Sequence, residues 1–398
     1  MDIIIKPALL HGAIDAIPSK SQAHRMLILA AFADRETTLF CPETNRDMDA
    51  TARCLCALEA DIQRNETGFW ITPAKSIPAA ASLPCQDSGS TLRFLLPVAG
   101  ALGVRATFHM TGRLPQRPLS PMWEEMERMG CRLSRPTETT ILCTGKLRPG
   151  DFSIDGGVSS QFITGLLLAF ALMDGTSRLH ILGQLQSAPY VTMTQRACSL
   201  FGKDTQDFTV TGGGLHSPGR LRVEGDWSNG AFFLAARALG SPLSVGNLDP
   251  DSPQGDRACA ELLPELLKQN ITISAADIPD LVPILAVTAA ANHGAVFTDI
   301  GRLRLKESDR VASVIAMLKA LGGQAQANDD TLTVFGTGLQ GGTVDSRNDH
   351  RIAMAAAIAA TVCTRPVTIL GAECVEKSYP KFFEDYQKLG GSYEQYLR

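Results

Sequence analysis

The sequence predicts an α/β protein of two lobes, each holding three similar units, and three observations carry that expectation. At 398 residues the chain exceeds what one hydrophobic core usually supports, and about 150 residues per domain suggests two or three domains. A helix end followed by a turn and a strand recurs six times, as Leu58-Glu59-Ala60-Asp61-Ile62, Met129-Gly130-Cys131-Arg132-Leu133, Leu200-Phe201-Gly202-Lys203, Leu267-Lys268-Gln269-Asn270-Ile271, Leu321-Gly322-Gly323-Gln324 and Leu389-Gly390-Gly391-Ser392. The turns at 59, 130, 202, 269, 322 and 390 fall roughly 70 residues apart, with a shorter fourth interval. Glycine is the expected residue just past a helix because it takes positive φ without a Cβ penalty, so its recurrence marks one repeated local event. Between these marks lie β-rich stretches such as Phe152-Ser153-Ile154-Asp155 and Leu332-Thr333-Val334-Phe335, so helices and strands alternate.

The elements follow in order. Met1-Asp2-Ile3-Ile4-Ile5-Lys6-Pro7 reads as a strand and lacks the basic stretch and long apolar run of an export signal. Pro18-Ser19-Lys20-Ser21-Gln22-Ala23-His24-Arg25 opens a helix that continues apolar from Met26 to Ala33, with Ser19 or Ser21 as N-cap and with Ser21 and Arg25 on one face. Ser88-Gly89-Ser90-Thr91 leads a loop into a helix, and Ser159-Ser160 precedes another over Phe162–Leu172. Leu221-Arg222-Val223-Glu224-Gly225-Asp226 runs from a strand into the helical pattern of Asn229–Leu239 and marks a domain boundary. Asn348-Asp349-His350-Arg351 stands before a further helix.

Composition narrows the class. Hydrophobic residues make up 44% and charged residues 20%, as in an ordinary globular protein. A net charge of −4 and a pI near 6.0 argue against an extended nucleic-acid or membrane surface, so any cation cluster must be local. The longest apolar runs, around Leu166–Met173 and Leu281–Ala291, are too short to span a bilayer, and a cytoplasmic location is expected. The ten cysteines include Cys54-x-Cys56 but no CxxC pair, and no histidines sit at metal-ligand spacing. Buried reduced thiols are expected, with neither disulfides nor zinc.

Six segments carry chemistry, and each has a bland reading beside the functional one. Lys20 at a helix start combines a cation with free N–H groups and a positive dipole end, a seat for phosphate or carboxylate, yet such a start is commonly just a capped helix. Asp87-Ser88-Gly89-Ser90-Thr91-Leu92-Arg93 is small enough for an anion to approach its backbone, or is an ordinary loop. Gly112-Arg113-Leu114-Pro115-Gln116-Arg117-Pro118-Leu119 and Asp155-Gly156-Gly157-Val158-Ser159-Ser160-Gln161-Phe162 are the third and fourth. Arg304-Leu305-Lys306-Glu307-Ser308-Asp309-Arg310 reads equally as a solvated helix face. Asn348-Asp349-His350-Arg351, with Lys377 beyond, reads equally as a helix cap with a surface histidine.

Taken in order, Pro-Ser-Lys-Ser-x-x-x-Arg, Ser-Gly-(Ser/Thr)-x-x-Arg, x-x-Arg-Pro, Gly-x-Val-Ser-Ser-Gln-Phe, Lys-Glu-Ser-Asp-Arg and Asn-Asp-His-Arg resemble the 5-enolpyruvylshikimate-3-phosphate synthase (3-phosphoshikimate 1-carboxyvinyltransferase) family, from Lys20 to Lys377. The resemblance implies a two-domain inside-out α/β barrel, or α/β prism, in which each domain has three βαβαββ-type repeats. It implies a discontinuous domain of about 1–18 plus 225–398, an inserted domain of 19–224, and a site between them. Two small-molecule substrates, phosphoenolpyruvate and shikimate 3-phosphate, are implied, with no metal or cofactor, no nucleic acid or membrane partner, and a monomeric chain. The ligands carry two phosphates and two carboxylates, which suits the many arginines and lysines of the six segments.

Residue by residue, the resemblance implies that Lys20, Ser21 and Arg25 hold shikimate 3-phosphate, with Ser159, Ser160 and Ser187 around its phosphate and Gln161 and Tyr190 beside its ring. Lys20, Gly89, Arg117, Gln161, Arg310, Arg351 and Lys377 match the phosphoenolpyruvate pocket, and Arg93 matches a supporting arginine. Asp280 matches the carboxylate at the ring hydroxyls, and Lys306 also falls in the shikimate 3-phosphate match. Glu307 is the candidate acid toward the methylene carbon, and Asp280 or Lys306 takes the proton of the 5-hydroxyl. Gly89 implies that glyphosate can enter. Asp87, Ser90, Ala188 and Arg302 depart from the family pattern, and Asp87 would repel a phosphate unless a neighbour such as Arg93 compensates. Two alternatives stay open: transfer to a UDP-linked amino sugar, whose family carries a reactive cysteine that Gly112–Pro121 lacks, and a non-catalytic relative of the repeat fold.

Overall fold

The computed structural model describes residues 1–396. The chain opens with strands β1 (Asp2–Ile5) and β2 (Gly12–Asp15). It then divides into two compact units, one of residues 18–224 and one of Met1–Ile17 with the chain from Gly225 onward.

The 18–224 unit holds three repeats. The first is α1 (Lys20–Ala30), β3 (Thr37–Phe40), α2 (Arg46–Ala57), β4 (Asp61–Asn65) and β5 (Gly68–Thr72). The second is β6 (Ala80–Gln86), α3 (Gly89–Leu102), β7 (Arg105–Met110), α4 (Met122–Arg128), β8 (Cys131–Thr137) and β9 (Thr140–Gly145). The third is β10 (Asp151–Asp155), α5 (Ser160–Leu172), β11 (Thr176–Leu182), α6 (Ala188–Leu200) and β12 (Thr209–Thr211), followed by β13 (Arg220–Arg222). The second repeat reads βαβαββ and pairs its strands in the order β6-β7-β9-β8. The first begins on its helix, and β13 from the far end of the unit supplies the missing strand: it lies parallel to β3, Leu221 opposite Leu39, in the equivalent order β13-β3-β5-β4.

The other unit continues with α7 (Trp227–Ala238), β14 (Leu243–Gly246) and α8 (Cys259–Leu266). A complete repeat follows, β15 (Ile271–Ser274), α9 (Val282–Ala291), β16 (Ala295–Thr298), α10 (Arg310–Ala320), β17 (Gln324–Ala327) and β18 (Leu332–Phe335), ordered β15-β16-β18-β17. The last is β19 (Gly342–Asp345), α11 (His350–Ala359), β20 (Val367–Leu370), α12 (Phe382–Lys388) and β21 (Tyr393–Tyr396). Here β1 supplies the fourth strand, with Ile3 opposite both Ile369 and Gln395 in the order β19-β20-β1-β21. Strand β2 pairs in parallel with β14. Residues 18–224 therefore interrupt a repeat between its first strand and its first helix. That repeat passes from α8 directly into β15 without an antiparallel pair of its own, which accounts for the short interval in the sequence periodicity.

The turns after α2, α4, α6, α10 and α12 put Glu59, Gly130, Gly202, Gly322 and Gly390 at positive φ, whereas Gln269 after α8 does not adopt it. The first helices of the repeats form the interior. Phe162 to Ala171 of α5 and Val282 to Ala290 of α9 are buried without a break. A helix that is apolar all round must be enclosed, so the sheets lie outside and the helices inside. The apolar runs too short for a bilayer are these core helices, and no helix among the described residues is long and apolar enough to cross a membrane. All ten cysteines are free, nine of them buried, while Cys56 is exposed on α2, contrary to the expectation of burial throughout.

One glycine sets the spacing of the core. At Gly165 of α5 a Cβ would lie 2.2 Å from the carbonyl oxygen of Arg93 in α3 and 3.1 Å from Cγ of Pro97. Pro97 has no N–H to offer the Arg93 carbonyl four residues back, and the Gly165 backbone comes up against that oxygen instead. Gly165→Ala is expected to destabilise the protein by about 1–3 kcal/mol, because backbone rather than a side-chain tip must yield; urea unfolding reads the loss.

Candidate active site

In the 18–224 unit, α1, α3 and α5 hold equivalent places in the three repeats, and side chains tie their first turns together. Gln161 of α5 donates from Nε2 to Ser90 Oγ of α3 at 3.1 Å, and Arg25 of α1 donates from Nη2 to Thr164 Oγ1 of α5 at 3.1 Å. Each helix has a serine N-cap: Ser19 accepts from the Gln22 N–H, Ser88 from Thr91 and Ser159 from Gln161. Of the two caps weighed for the first helix, Ser19 takes the role. None of the three carries an acidic residue in its first turn. Amide donors and positive dipole ends therefore gather at one place without a fixed carboxylate at the helix starts, which favours an anion.

Cations border that place. A Cβ on the buried Gly89 would lie 2.8 Å from Nη1 of Arg93 and 2.8 Å from Nη1 of Arg117, so the absence of a side chain leaves both guanidiniums where they are. Arg93 donates to Gln161 Oε1 at 3.0 Å and to the Pro118 carbonyl at 3.1 Å, which orients the Gln161 amide and anchors the chain beside Arg117. Lys20 opens α1 and pairs with Asp47 Oδ2 at 3.0 Å. Arg25 is 2% exposed and donates also to Thr194 Oγ1 at 2.8 Å, to the Tyr190 carbonyl at 2.9 Å and to the Ser21 carbonyl. Burial brings its guanidinium down to about 10, still charged at neutral pH. Its main work in this structure is to join the starts of α1, α5 and α6. Ser160 is buried, and Ser187 stands at the cap of α6 with φ 56°. The departure at Ser90 keeps a hydroxyl, which Gln161 uses.

The other unit gathers carboxylates and cations. Arg310, 1% exposed, opens α10 behind the N-cap Asp309. It donates from Nη1 to Asp280 Oδ1 at 2.7 Å, from Nη2 to Glu307 Oε2 at 2.9 Å and from Nε to Asp349 Oδ2 at 3.1 Å. Asp349, fully buried, also caps α11 by accepting from the Arg351 N–H at 3.0 Å and accepts from Ser308 Oγ at 2.9 Å. Lys306 Nζ lies 3.6 Å from Asp280 Oδ1, and Arg351 Nη2 lies 3.5 Å from Asp280 Oδ2. Burial pushes the Asp280 carboxyl up, but Lys306, Arg351 and Arg310 outweigh it and hold it well below the usual range. Burial pulls the Lys306 ammonium down to about 8 against the attraction of Asp280, with Arg310 and Arg302 adding to the lowering. Burial opposes the charge on Arg310 too, yet Asp349, Asp280 and Glu307 raise it above the ordinary guanidinium value.

The structure thus brings Gly89, Arg93, Arg117 and Gln161 together in one unit, and Asp280, Lys306, Glu307, Arg310 and Arg351 in the other. Lys377 ends the short 3-10 helix Ala372–Lys377 and is buried. The solvated-face reading of Lys306 to Arg310 fails at Arg310, and the surface reading of His350 fails because it is 2% exposed. Sequence reasoning did not single out Asp47 as the partner of Lys20, Asp349 as a partner of Arg310, or the buried Asp256. Asp349 carried a signal, since it is the only residue of Asn348-Asp349-His350-Arg351 that can both cap a helix and neutralise an arginine.

The chain matches the family described as EPSP synthase (3-phosphoshikimate 1-carboxyvinyltransferase) over residues 4–386. It is 35% identical to the 3-phosphoshikimate 1-carboxyvinyltransferase of Clostridium kluyveri, covering 99% of this chain and 98% of that one, and 36% identical to that of Clostridium novyi, covering 99% of each. An EPSP synthase structure from Acinetobacter baumannii superposes with a TM-score of 0.79 over 99% of this chain and 100% of that one, at 22% identity, a likeness of fold. This is an enolpyruvyl-transferase fold of two repeat-built α/β units. The chain belongs to the EPSP synthase family.

Removing Asp349 leaves Arg310 buried with one fewer carboxylate and α11 uncapped. Asp349→Ala is expected to cost about 3–5 kcal/mol of stability, measured by urea unfolding.

Proposed function

We propose that this chain transfers the enolpyruvyl group of phosphoenolpyruvate to the 5-hydroxyl of shikimate 3-phosphate and releases phosphate. The observation that carries the reading is that a chain of this family pairs a serine-capped, cation-bordered cradle with a cluster in which Asp280 and Glu307 share Arg310. The first suits anions, and the second suits proton transfer.

Lys20, Ser21, Ser159, Ser160, Ser187 and Tyr190 would receive shikimate 3-phosphate, with Gln161 against its ring and Arg25 holding the helix starts in register. Lys20, Gly89, Arg117, Gln161, Arg310, Arg351 and Lys377 would receive phosphoenolpyruvate. The incoming phosphate and carboxylate compete for Arg310. Glu307 then loses its ion pair beside an anion, which favours its protonated form. Glu307 protonates the methylene carbon, the 5-oxygen attacks the adjoining carbon, and Asp280 accepts the hydroxyl proton with the Lys306 ammonium beside it. The product is a tetrahedral adduct. Loss of phosphate, with return of a methyl proton to Glu307, gives the enolpyruvyl ether. Fixed guanidiniums stabilise the shifting charge without reorganisation.

The direct test is phosphate release from phosphoenolpyruvate with shikimate 3-phosphate against a UDP-linked N-acetylamino sugar. Turnover with the former alone is expected, and its absence in a folded sample sinks the reading. Glyphosate is expected to inhibit. Gly89→Ala places a methyl 2.8 Å from both guanidinium nitrogens, so it is expected to raise the phosphoenolpyruvate KM and to weaken inhibition further.

Lys306 acts here as a cation. Since its ammonium titrates at about 8, the charge is present below that pH and lost above it. The kcat/KM for phosphoenolpyruvate is expected to fall as pH rises through about 8, and Lys306→Arg is expected to move that limb upward, because a guanidinium stays charged. An unmoved limb assigns it elsewhere.

A further inference from the structure

A buried carboxylate that the proposed reaction does not use stands behind Arg351. Asp256 lies in the single-turn segment Gly255–Ala258 and is 2% exposed. Its Oδ2 accepts from Ser228 Oγ in the first turn of α7. The Ser228 carbonyl accepts from Arg351 Nη1 at 2.9 Å, and Arg351 Nη2 lies 3.5 Å from Asp280 Oδ2. Ser228 and Arg351 are 8% and 2% exposed. The four residues thus make a continuous chain of polar contacts ending at the carboxylate assigned to the substrate hydroxyl. First turns of helices fray, so an anchor on the Ser228 side chain steadies the carbonyl that Arg351 uses.

We propose that Asp256 is a positioning residue for the active site, holding Ser228 so that its carbonyl aims the Arg351 guanidinium between Asp280 and the substrate. The inference deepens the proposed reaction and rests on it, since Arg351 is there assigned to phosphoenolpyruvate. Charge adds a second effect. Among the groups acting on Asp256 are Asp280 and Asp226, which disfavour its ionisation, and Ser228 and Arg351, which favour it, with the thiol of Cys259 also nearby. Burial, then Asp280, pushes its carboxyl up to about 7. A neutral Asp256 leaves the charge of Arg351 to Asp280 and the substrate anion. Once ionised, it competes for the same guanidinium.

Steady-state kinetics with phosphoenolpyruvate and shikimate 3-phosphate test this. Asp256→Ala is expected to raise the phosphoenolpyruvate KM about tenfold, and Ser228→Ala is expected to raise it in the same direction. Asp256→Asn keeps the shape and an acceptor for Ser228, and is expected to restore KM to within about threefold of the wild type. Wild-type kcat/KM is expected to decline as pH rises through about 7, a limb that the Asn variant lacks while keeping the one near 8.

Thermal unfolding across pH gives a readout independent of turnover. A carboxyl whose folded value is raised binds its proton more tightly when folded. The wild type should therefore lose stability relative to Asp256→Asn between about pH 4 and about pH 7. Wild-type KM and pH profile in Asp256→Ala, an Asn variant as impaired as Ala, or no pH-dependent difference in stability overturns the inference. If Asp256→Ala does not fold, the Asn and Ser228→Ala variants decide. If the wild type itself turns over neither substrate pair, the proposed reaction has failed, and the unfolding comparison still tests Asp256.

Discussion

Each unit depends on enclosing apolar helices that have no polar face. Helices such as α5 and α9 are buried along almost their whole length, so sheets must surround them. Repetition makes the enclosed helices equivalent and brings their first turns together. Their unpaired N–H groups then converge, and whatever satisfies them determines the chemistry of that end.

The two units satisfy those groups differently. In the 18–224 unit the caps of α1, α3 and α5 are serines, which are neutral and leave the dipole ends electropositive. In the other unit α7 and α11 are capped by Asp226 and Asp349, whose charge already occupies such an end. Arginines follow the carboxylates there. Arg310 is held by three of them and Arg351 by Asp280 and a helical carbonyl. One fold element repeated with two kinds of cap thus yields electropositive helix starts in one unit and a carboxylate–guanidinium cluster in the other.

Much of this was legible from the residues. The helix-end turns stood in the sequence because their cause is local: a chain leaving a helix favours a residue that tolerates positive φ, and five of the six positions adopt it. Ser159, two residues before Gln161, and Asp349, just before His350, signalled caps for the same reason. The family motifs named the cations but not their partners. Asp47 against Lys20, and Asp256 against Ser228, are contacts between segments about 27 and 28 residues apart, with no periodicity to reveal them.

By itself the sequence determined the alternation of elements, the number of repeats and the residue types that could meet anions, since propensity, capping and turn chemistry act over a few neighbouring residues. Tertiary structure alone decided that β13 and β1 complete sheets begun elsewhere, that Arg25 is spent on joining three helix starts, and that Arg310 sits among Asp280, Glu307 and Asp349. Those outcomes turn on which distant groups share one desolvated volume. Burial makes a charge costly until a partner is found, and where that partner lies in the chain is decided only when the core closes.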